Sequence, residues 1–411
     1  MKLNDSILAQ SEAIAAIRRD IHAHPELSYQ ESRTAAIVAA KLREWGIAFE
    51  TDIGQTGVVG TIVGTRAANT NNGKANAIGL RADMDALPIQ EANQFEHTST
   101  YAGKMHACGH DGHTAMLLGA AQQLAANRDF AGTVYLIFQP AEEGGAGAKA
   151  MIDDGLFTRF PMDAVFGLHN WPGERLGTIG MTPGPMMASS NEFTLTITGR
   201  GAHAALPHNG ADPVMAAVNL AQALQTILTR NKKPVDAAVL SITQIHAGDA
   251  YNVIPDTALV AGTIRTFTLE VLDMMEKRLR EICAGIAAAF EVKIDIEFDR
   301  NYPPLINDRA AAEFCRDVAT RLVGAEHVVW GQEATMGAED FAFMLLEKPG
   351  CYVFAGNGLG DHRFHGHGAG PCMLHNPSYD FNDQLIPLGV SYWVELTQQW
   401  FKRSLDSRTS V

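Results

Sequence analysis

One short stretch of the chain concentrates side chains that bind metal ions. Residues 105–116 read MHACGHDGHTAM and carry three histidines, one cysteine and one aspartate. Thiolate, imidazole and carboxylate groups are the ligands that zinc and its first-row neighbours prefer in proteins. For His106, His110 or His113 taken singly, a polar loop with scattered histidines is an equal alternative. The cluster as a whole predicts a metal site ahead of a helix over residues 114–126.

A pair of glutamates follows a predicted strand further along the chain. The apolar run VYLIF is followed by Gln139 and, three residues later, by Glu142 and Glu143. Neighbouring side chains on an extended backbone point in opposite directions, so one carboxylate can bind a metal while the other faces a water molecule. A metal lowers the pKa of its water from about 15.7 to about 7, and a nearby carboxylate then carries the proton to the leaving amine. The pair predicts metal-dependent hydrolysis, with a solvated surface pair as the alternative.

Two further histidines are candidate metal ligands, and two aspartates are candidates for orienting such ligands. His169 ends the apolar run DAVFGLH, and His375 lies in the turn-rich stretch MLHNPSYDFND. Ligands at strand ends suit open α/β sheets, although a single histidine of this kind is more often a core residue. Asp83 and Asp85 are two residues apart, so on a strand they would face one side, where a carboxylate can orient a histidine ligand. Exposure of both aspartates to solvent is the alternative.

Three polar residues later in the chain are candidates for substrate contact. His203 lies on a glycine-flanked loop, Asn252 begins NVIPD, and Arg265 lies on a predicted strand. Arginine suits bidentate binding of a carboxylate, and histidine and asparagine can donate to a developing oxyanion. On residue type alone, a purely structural role is the more common outcome for each of the three residues.

The composition limits the classes of partner. The 411 residues, 46% hydrophobic and 19% charged, are typical of a folded protein with a large core and about two domains. A net charge of -14 argues against a nucleic-acid or anionic membrane partner and favours a small-molecule substrate. Five cysteines without repeating spacing and an N-terminus without a signal-peptide pattern indicate a reducing compartment. We therefore expect a cytoplasmic protein.

Helix-like and strand-like patterns alternate in the first part of the chain and predict an α/β fold. Helices are predicted over residues 11–20 and 32–45, strands over 57–64, 76–84 and 132–139, and a surface turn over 69–74. From residue 187 the pattern changes to strand, helix, strand, strand, helix, strand, which is the ferredoxin-like split unit. We predict that this unit, residues 187–301, is inserted into a domain formed by residues 1–186 and 302–411.

The motifs also follow one another in an order that resembles a known family. They are HAHPELS, RADMDALP, MHACGHDGHT, QPAEEG, GLHNWP, GRGAHAALPH, NVIPD, GTIRTF, GAEDF and MLHNPSYDFND. The chain resembles, over residues 11–400, the hippurate hydrolase and auxin-conjugate amidohydrolase branch of the aminoacylase and carboxypeptidase metallopeptidases. This resemblance implies a zinc-exopeptidase-like α/β/α catalytic domain with an inserted ferredoxin-like lid and dimerisation domain. Residues 183–190 and 301–304 are the hinges that such a lid would use.

The resemblance further implies a dinuclear site holding two divalent ions of zinc, manganese, nickel or cobalt. The implied metal ligands are Cys108, His110, Glu143, His169 and His375. Glu142 matches the family's general base, and Asp85 matches its orienting aspartate. Dipeptidase and carboxypeptidase relatives carry a histidine ligand two residues before that aspartate, where this chain has Asp83. This departure points to the branch that acts on acyl amino acids.

The implied reaction is hydrolysis of an N-acyl amino acid to a carboxylic acid and a free amino acid. A water at the metal ions attacks the amide carbonyl, and Glu142 carries its proton to the leaving amine. His203 matches a residue that reaches a partner subunit's site to stabilise the oxyanion, so a homodimer or homotetramer formed through the lid domain is expected. Asn252 and Arg265 match contacts to the substrate carboxylate or the oxyanion.

Three alternatives stay open. A dipeptidase or an N-acetyl-diaminopimelate deacetylase of the same clan would use nearly the same chemistry. A non-catalytic metal-binding relative would not need Glu142, whose presence argues against it. A cysteine hydrolase would use the Cys108 thiolate with His110 or His113 as its base.

Overall fold

The computed structural model describes residues 4–66, 76–363 and 365–406, so the turn predicted over 69–74 lies outside the described residues. The α-helices are α1 (Asp5–Ala23), α2 (Ser32–Glu44), α3 (His110–Ala126), α4 (Gly147–Asp153), α5 (Leu156–Arg159), α6 (Pro213–Leu224), α7 (Leu269–Phe290), α8 (Arg309–Val323), α9 (Phe341–Glu347) and α10 (Ile386–Asp406). The strands are β1 (Ala48–Ile53), β2 (Gly57–Val63), β3 (Ala77–Asp83), β4 (Thr133–Gln139), β5 (Ala164–Pro172), β6 (Ile179–Met181), β7 (Gly184–Met187), β8 (Ser190–Thr198), β9 (Ala202–His203), β10 (Ala238–Ala247), β11 (Val253–Ile254), β12 (Thr257–Thr266), β13 (Lys293–Tyr302), β14 (Leu305–Asn307), β15 (Val328–Trp330) and β16 (Gly350–Gly358).

The chain divides into two compact units. The first unit comprises Met1–Gly184, Asn307–Glu333 and Phe343–Val411, and the second comprises Pro185–Ile306 and Ala334–Ala342. Within the described helices, none has the length and apolar content of a membrane span.

An eight-stranded mixed sheet forms the centre of the first unit, in the order β1-β2-β4-β3-β5-β16-β6-β15. Its four central strands, β4, β3, β5 and β16, pair in parallel. Strands β3 and β16 are buried along their whole length, which is why they appear in the sequence as apolar runs rather than as alternating patterns. The predicted α/β fold class is confirmed.

The parallel register brings the candidate site residues to one edge of this sheet. Asp83 is the last residue of β3 and pairs with Gln139, the last residue of β4. Arg81 of β3 pairs with Gly167 of β5. Because Asp83 follows Arg81 by two residues and His169 follows Gly167 by two residues, these two candidate site residues lie at the same level of the sheet. The carboxyl ends of parallel strands meet at the same edge, which is where open α/β sheets bind their ligands.

Helices α1, α2, α3, α8 and α10 share one apolar core with the large sheet. Helix α3 packs against α1, α10 and β3, and its residues from His110 to Ala121 are all buried. Helix α1 begins earlier than residue 11, where the prediction started it, because the Asn4 side chain accepts a hydrogen bond from the Ser6 amide and caps the helix. The helix that carries the cluster of candidate ligands is thus held on several sides.

The second unit has an antiparallel four-stranded sheet in the order β10-β12-β8-β13. Helices α6 and α7 pack on it around a core of its own that includes Phe193, Leu220 and Leu279. The order of these elements along the chain is strand, helix, strand, strand, helix, strand. The domain bounds inferred from the sequence, and a role of this unit as a lid, stay predictions.

Candidate metal centre

The HACGHDGH motif enters helix α3 earlier than predicted. The helix begins at His110, not at residue 114, because Gly109 adopts a φ of 96° and serves as its N-cap. A Cβ atom at Gly109 would lie 2.1 Å from the Asn170 Oδ1 atom, so both the backbone conformation and the space require glycine. Cys108 and His110 therefore lie on either side of a sharp turn at the helix N-terminus, and both are buried.

The paired glutamates lie in a turn, and the extended backbone predicted for them is wrong. Ala141 adopts a φ of 52°, which ends strand β4 before Glu142 and Glu143. Asp85 holds this turn, since its two carboxylate oxygens accept hydrogen bonds from the Glu142 amide at 3.0 Å and the Glu143 amide at 2.9 Å. Glu31 accepts a third, from the Ala141 amide, at 2.8 Å. Four buried or half-buried carboxylate residues thus lie at this turn: Glu31, Asp85, Glu142 and Glu143.

Two histidines present their Nε2 atoms as metal ligands require. His169 lies inside β5, and its Nδ1 atom donates to the Asn170 carbonyl at 2.6 Å, so the lone pair of the neutral ring is on Nε2. This Nε2 atom lies 3.4 Å from the Cys108 sulfur. His110 donates from Nδ1 to the Asp85 carboxylate at 3.2 Å. Its buried Nε2 atom has no hydrogen-bond partner among the described residues. A hydrogen bond from the second nitrogen is how proteins fix the tautomer of a ligating histidine.

His375 approaches from the last part of the chain. It adopts a φ of 60°, and its backbone amide donates to the Ala107 carbonyl at 2.8 Å. Its Nε2 atom lies 3.1 Å from the Glu143 Oε1 atom. The backbone contact therefore ties the segment of His375 directly to the segment of Cys108.

The candidate ligands form two groups of potential metal-donor atoms that overlap. The ligand atoms of Cys108, His110 and His169 lie within 4.8 Å of one another, as do those of Cys108, Glu143 and His375. Cys108 belongs to both groups. Sulfur, imidazole nitrogen and carboxylate oxygen suit divalent first-row metals, so these residues fit two such ions.

The two aspartates of RADMDALP are buried, so their exposure to solvent is excluded. Asp83 pairs with Arg81 at 2.7 Å and accepts from the His113 Nδ1 atom at 2.6 Å. Burial opposes ionisation of Asp83, but the charges of His110, His113 and Arg81 lower its pKa well below the ordinary value. Asp83 is therefore ionised in this cluster, and the positive charges around it offset the cost of burying its carboxylate.

The arrangement argues against a thiol nucleophile. Burial raises the pKa of the Cys108 thiol well above its ordinary value, and the carboxylates of Glu143 and Glu142 add to that effect. His113 is occupied at both ring nitrogens, because Nδ1 contacts the Asp83 carboxylate and Nε2 lies 2.7 Å from the Asn170 Oδ1 atom and 3.0 Å from the Asn170 amide nitrogen. An activated cysteine depends on surroundings that favour the thiolate, and the carboxylates of Glu142 and Glu143 disfavour it.

The remaining predicted residues lie in the second unit. His203 on β9 pairs with Val253 on β11, and the Asn252 carbonyl accepts from the Ala204 amide at 3.0 Å, so His203 and Asn252 are neighbours. Arg265 lies apart from them on β12, where its Nη1 atom donates to the Ile264 carbonyl at 3.2 Å and to the Thr263 hydroxyl. Burial lowers the pKa of Arg265.

Sequence reasoning did not single out several side chains that support the cluster. Ser28 donates to Asp85 at 2.9 Å, and Asn170 donates from its side chain to the Tyr379 hydroxyl at 2.7 Å. Ser28, Asn170 and Tyr379 all lie inside the motifs HAHPELS, GLHNWP and MLHNPSYDFND. Their position as polar residues inside these motifs was the one sequence feature that could have indicated their role.

Comparison with known proteins identifies the family. The profile of peptidase family M20/M25/M40 matches residues 79–399. The chain is 40% identical to a hippurate hydrolase of Campylobacter jejuni over 98% of this chain and 100% of that one. It is 44% identical to an N-acetyl-L-cysteine deacetylase of Bacillus subtilis over 96% and 88% of the two chains. The structure is also similar to the crystal structure of the Bacillus subtilis YXEP protein, a dinuclear metal binding peptidase from the M20 family. The TM-score is 0.81 and the sequence identity 33%, and the match covers 96% of this chain and 99% of that one. The resemblance inferred from the motifs is confirmed, and the chain belongs to peptidase family M20/M25/M40.

Proposed function

We propose that this protein is a metal-dependent amidohydrolase that cleaves N-acyl amino acids to a carboxylic acid and a free amino acid. The observation that carries the proposal is the convergence of four donor side chains, those of His110, Glu143, His169 and His375, on Cys108, with Glu142 beside them. The names of the relatives support the substrate class, since hippurate and N-acetyl-L-cysteine are both N-acyl amino acids.

The proposed ligands of two divalent ions are Cys108, His110, Glu143, His169 and His375. When bound, such ions polarise a carbonyl group and make water a nucleophile at neutral pH. The thiolate favours zinc, while the nitrogen and oxygen donors also suit manganese, nickel or cobalt.

Glu142 is the proposed general base and acid. Its side chain is buried, and its backbone is fixed through the Asp85 carboxylate, so the carboxyl group has a defined place beside Glu143. It takes a proton from the attacking water and delivers it to the leaving nitrogen of the amide. Asp85 positions both this turn and the ring of His110, and therefore couples the base to a ligand.

Removing the metal ions is expected to abolish hydrolysis of hippurate and of N-acetyl amino acids, and adding back zinc, manganese, nickel or cobalt to restore it. The measurement is the initial rate of amino acid release before and after dialysis against a chelator, with metal content determined by elemental analysis. Activity that survives metal removal would instead favour a Cys108 nucleophile.

A panel of substrates separates the remaining alternatives. Fully metallated protein should hydrolyse hippurate or N-acetyl amino acids faster than dipeptides or N-acetyl-diaminopimelate. Cleavage of dipeptides alone would make the proposed substrate class wrong. A metallated protein without activity on any member of the panel would favour a non-catalytic relative.

We also propose a homodimer formed through the second unit, and a cytoplasmic location. Strand β10 is at the edge of the four-stranded sheet, and its second half is exposed. Ile245 on this edge and Met215 and Val218 on the neighbouring helix α6 expose large apolar side chains. An unpaired edge beside an apolar patch is a surface that a second copy of the chain can cover.

His203 is the proposed donor to the oxyanion in the partner's site. Its Nδ1 atom accepts a hydrogen bond from the Ala205 amide at 3.1 Å, so the neutral ring carries its proton on Nε2 and can donate it. Asn252, its neighbour, and Arg265 are proposed contacts to the substrate carboxylate or to the oxyanion.

Mixing two inactive variants tests whether His203 acts across the dimer. His203→Ala and Glu142→Gln should each have little activity alone. After subunit exchange, about a quarter of wild-type activity is expected, because half of randomly mixed dimers are hybrids with one complete site. A mixture that stays inactive, although hybrid dimers are detected by mass spectrometry, would place His203 in its own subunit's site.

A further inference from the structure

A buried arginine on helix α1 connects two separate segments of the first unit. The Arg18 side chain is 1% exposed. Its Nη1 atom lies 3.3 Å from the Asp111 Oδ2 atom and 3.5 Å from the Asp380 Oδ1 atom. Its Nε atom donates to the Asp383 Oδ1 atom at 2.8 Å. One guanidinium group therefore contacts three carboxylates from two distant parts of the chain.

These two segments carry proposed metal ligands. Asp111 directly follows His110 in the first turn of α3, and Asp380 lies five residues after His375. The segments also meet at the hydrogen bond from the His375 amide to the Ala107 carbonyl. Arg18 thus provides a second connection between the two segments, through their side-chain carboxylates rather than through the backbone.

His22 strengthens the same connection from the next turn of α1. Its Nδ1 atom lies 2.9 Å from the Asp111 Oδ2 atom that Arg18 also contacts, and its Nε2 atom lies 3.2 Å from the Glu91 Oε1 atom. Residues four apart lie on one face of a helix, so Arg18 and His22 act from the same side. Both are fully buried, as a solvated surface network would not be.

The chemistry requires arginine rather than any cation. Buried carboxylates are costly unless a partner compensates them, and Asp111 and Asp380 are both buried. The planar guanidinium offers five donors in a fixed geometry, so it can serve several acceptors at once, whereas the lysine ammonium is a compact point charge.

We propose that Arg18 is a positioning residue of the metal centre. It holds the N-terminus of α3 and the segment from His375 to Asp383 at the spacing that the ligand set needs. This inference rests on the proposed function, because it takes His110 and His375 as ligands.

The test is the affinity of the metal-free, full-length protein for zinc, measured by competition with a chelating dye. Arg18→Lys should weaken zinc binding by about 10- to 100-fold, the usual effect of losing a group that orients ligands. Arg19→Lys is the matched control, since Arg19 is the next residue, is 37% exposed and pairs with Asp383 and Glu12. Zinc affinity of the Arg19→Lys variant should equal that of the wild type.

Two further variants separate positioning from stability. Ile14→Ala removes a buried side chain of the same helix that packs near Gly119, so it should lower the melting temperature and leave zinc affinity unchanged. Asp380→Asn removes one carboxylate that Arg18 contacts and should weaken zinc binding even if Arg18→Lys does not fold.

The outcomes distinguish this inference from the function on which it rests. Wild-type protein that binds no zinc or other divalent ion would overturn the proposed function. Wild-type protein that binds two ions, with unchanged affinity in folded Arg18→Lys or in Asp380→Asn, would overturn the inference alone. Weakening in Ile14→Ala equal to that in Arg18→Lys, at equal loss of stability, would also overturn it.

Discussion

Replacing Glu142 with glutamine is expected to lower the rate of N-acyl amino acid hydrolysis by about 10²- to 10⁴-fold, the usual contribution of a general base. Glutamine keeps the size of the side chain and leaves the backbone hydrogen bond to Asp85 intact, so the turn should persist. It cannot take a proton from water at neutral pH. The measurement is kcat for hippurate or N-acetyl amino acids, together with metal content by elemental analysis.

The neighbouring Glu143→Gln variant is the informative comparison. Glu143 is a proposed ligand whose Oε1 atom lies 3.1 Å from the His375 Nε2 atom, so this variant should lose metal as well as activity. Glu142→Gln should lose activity alone. If Glu142→Gln kept most of its activity, or lost its metal in the same proportion as Glu143→Gln, Glu142 would not be the base.

Residue types predict the donor atoms of the centre better than they predict its backbone. Cys108 and His110 are ligand types in a tight cluster, and their proximity in space follows directly from the sequence. Ala141 is different, because alanine rarely adopts the positive φ of 52° observed here. Residue propensity therefore gives no warning of the turn at Glu142, and the extended backbone it predicts is wrong.

The contacts of Arg18 show why the support of the centre is harder to predict than its ligands. Arg18 lies four residues after Ile14 and three before Ile21, on the face of the helix that periodicity marks as apolar. A charged residue on such a face signals a buried partner. The sequence does not say which partner, because Asp380 and Asp383 come from the opposite end of the chain and only the fold brings them to α1.

Replacing Asp85 with asparagine is expected to weaken metal binding by about 10- to 100-fold and to lower activity with it. Burial pushes the pKa of Asp85 up, but the hydrogen bond and charge of His110 outweigh it and hold this pKa below its ordinary value, so the group is an anion at neutral pH. Its two oxygens accept from the amides of Glu142 and Glu143, from His110 and from the Ser28 hydroxyl.

Asparagine cannot reproduce this pattern in either orientation. Whichever way its amide is turned, the NH₂ group faces one of the two backbone amides, so two donors meet in a buried site. Leaving a buried donor unpaired costs about 1–3 kcal/mol. His110 loses its acceptor when the NH₂ group takes the Oδ1 position, and in the other orientation it keeps an acceptor but loses the charge of the carboxylate. Both the turn of Glu142 and the ring of His110 should shift.

Ser28→Ala is the matched control, because it removes one neutral donor to the same carboxylate and leaves the charge in place. It should cost no more than about 1.5 kcal/mol of stability and change metal affinity little. Metal titration and thermal unfolding of both variants give the comparison. Wild-type metal affinity in Asp85→Asn would mean that the ligands hold their geometry without this carboxylate, and the role assigned to Asp85 would then be wrong.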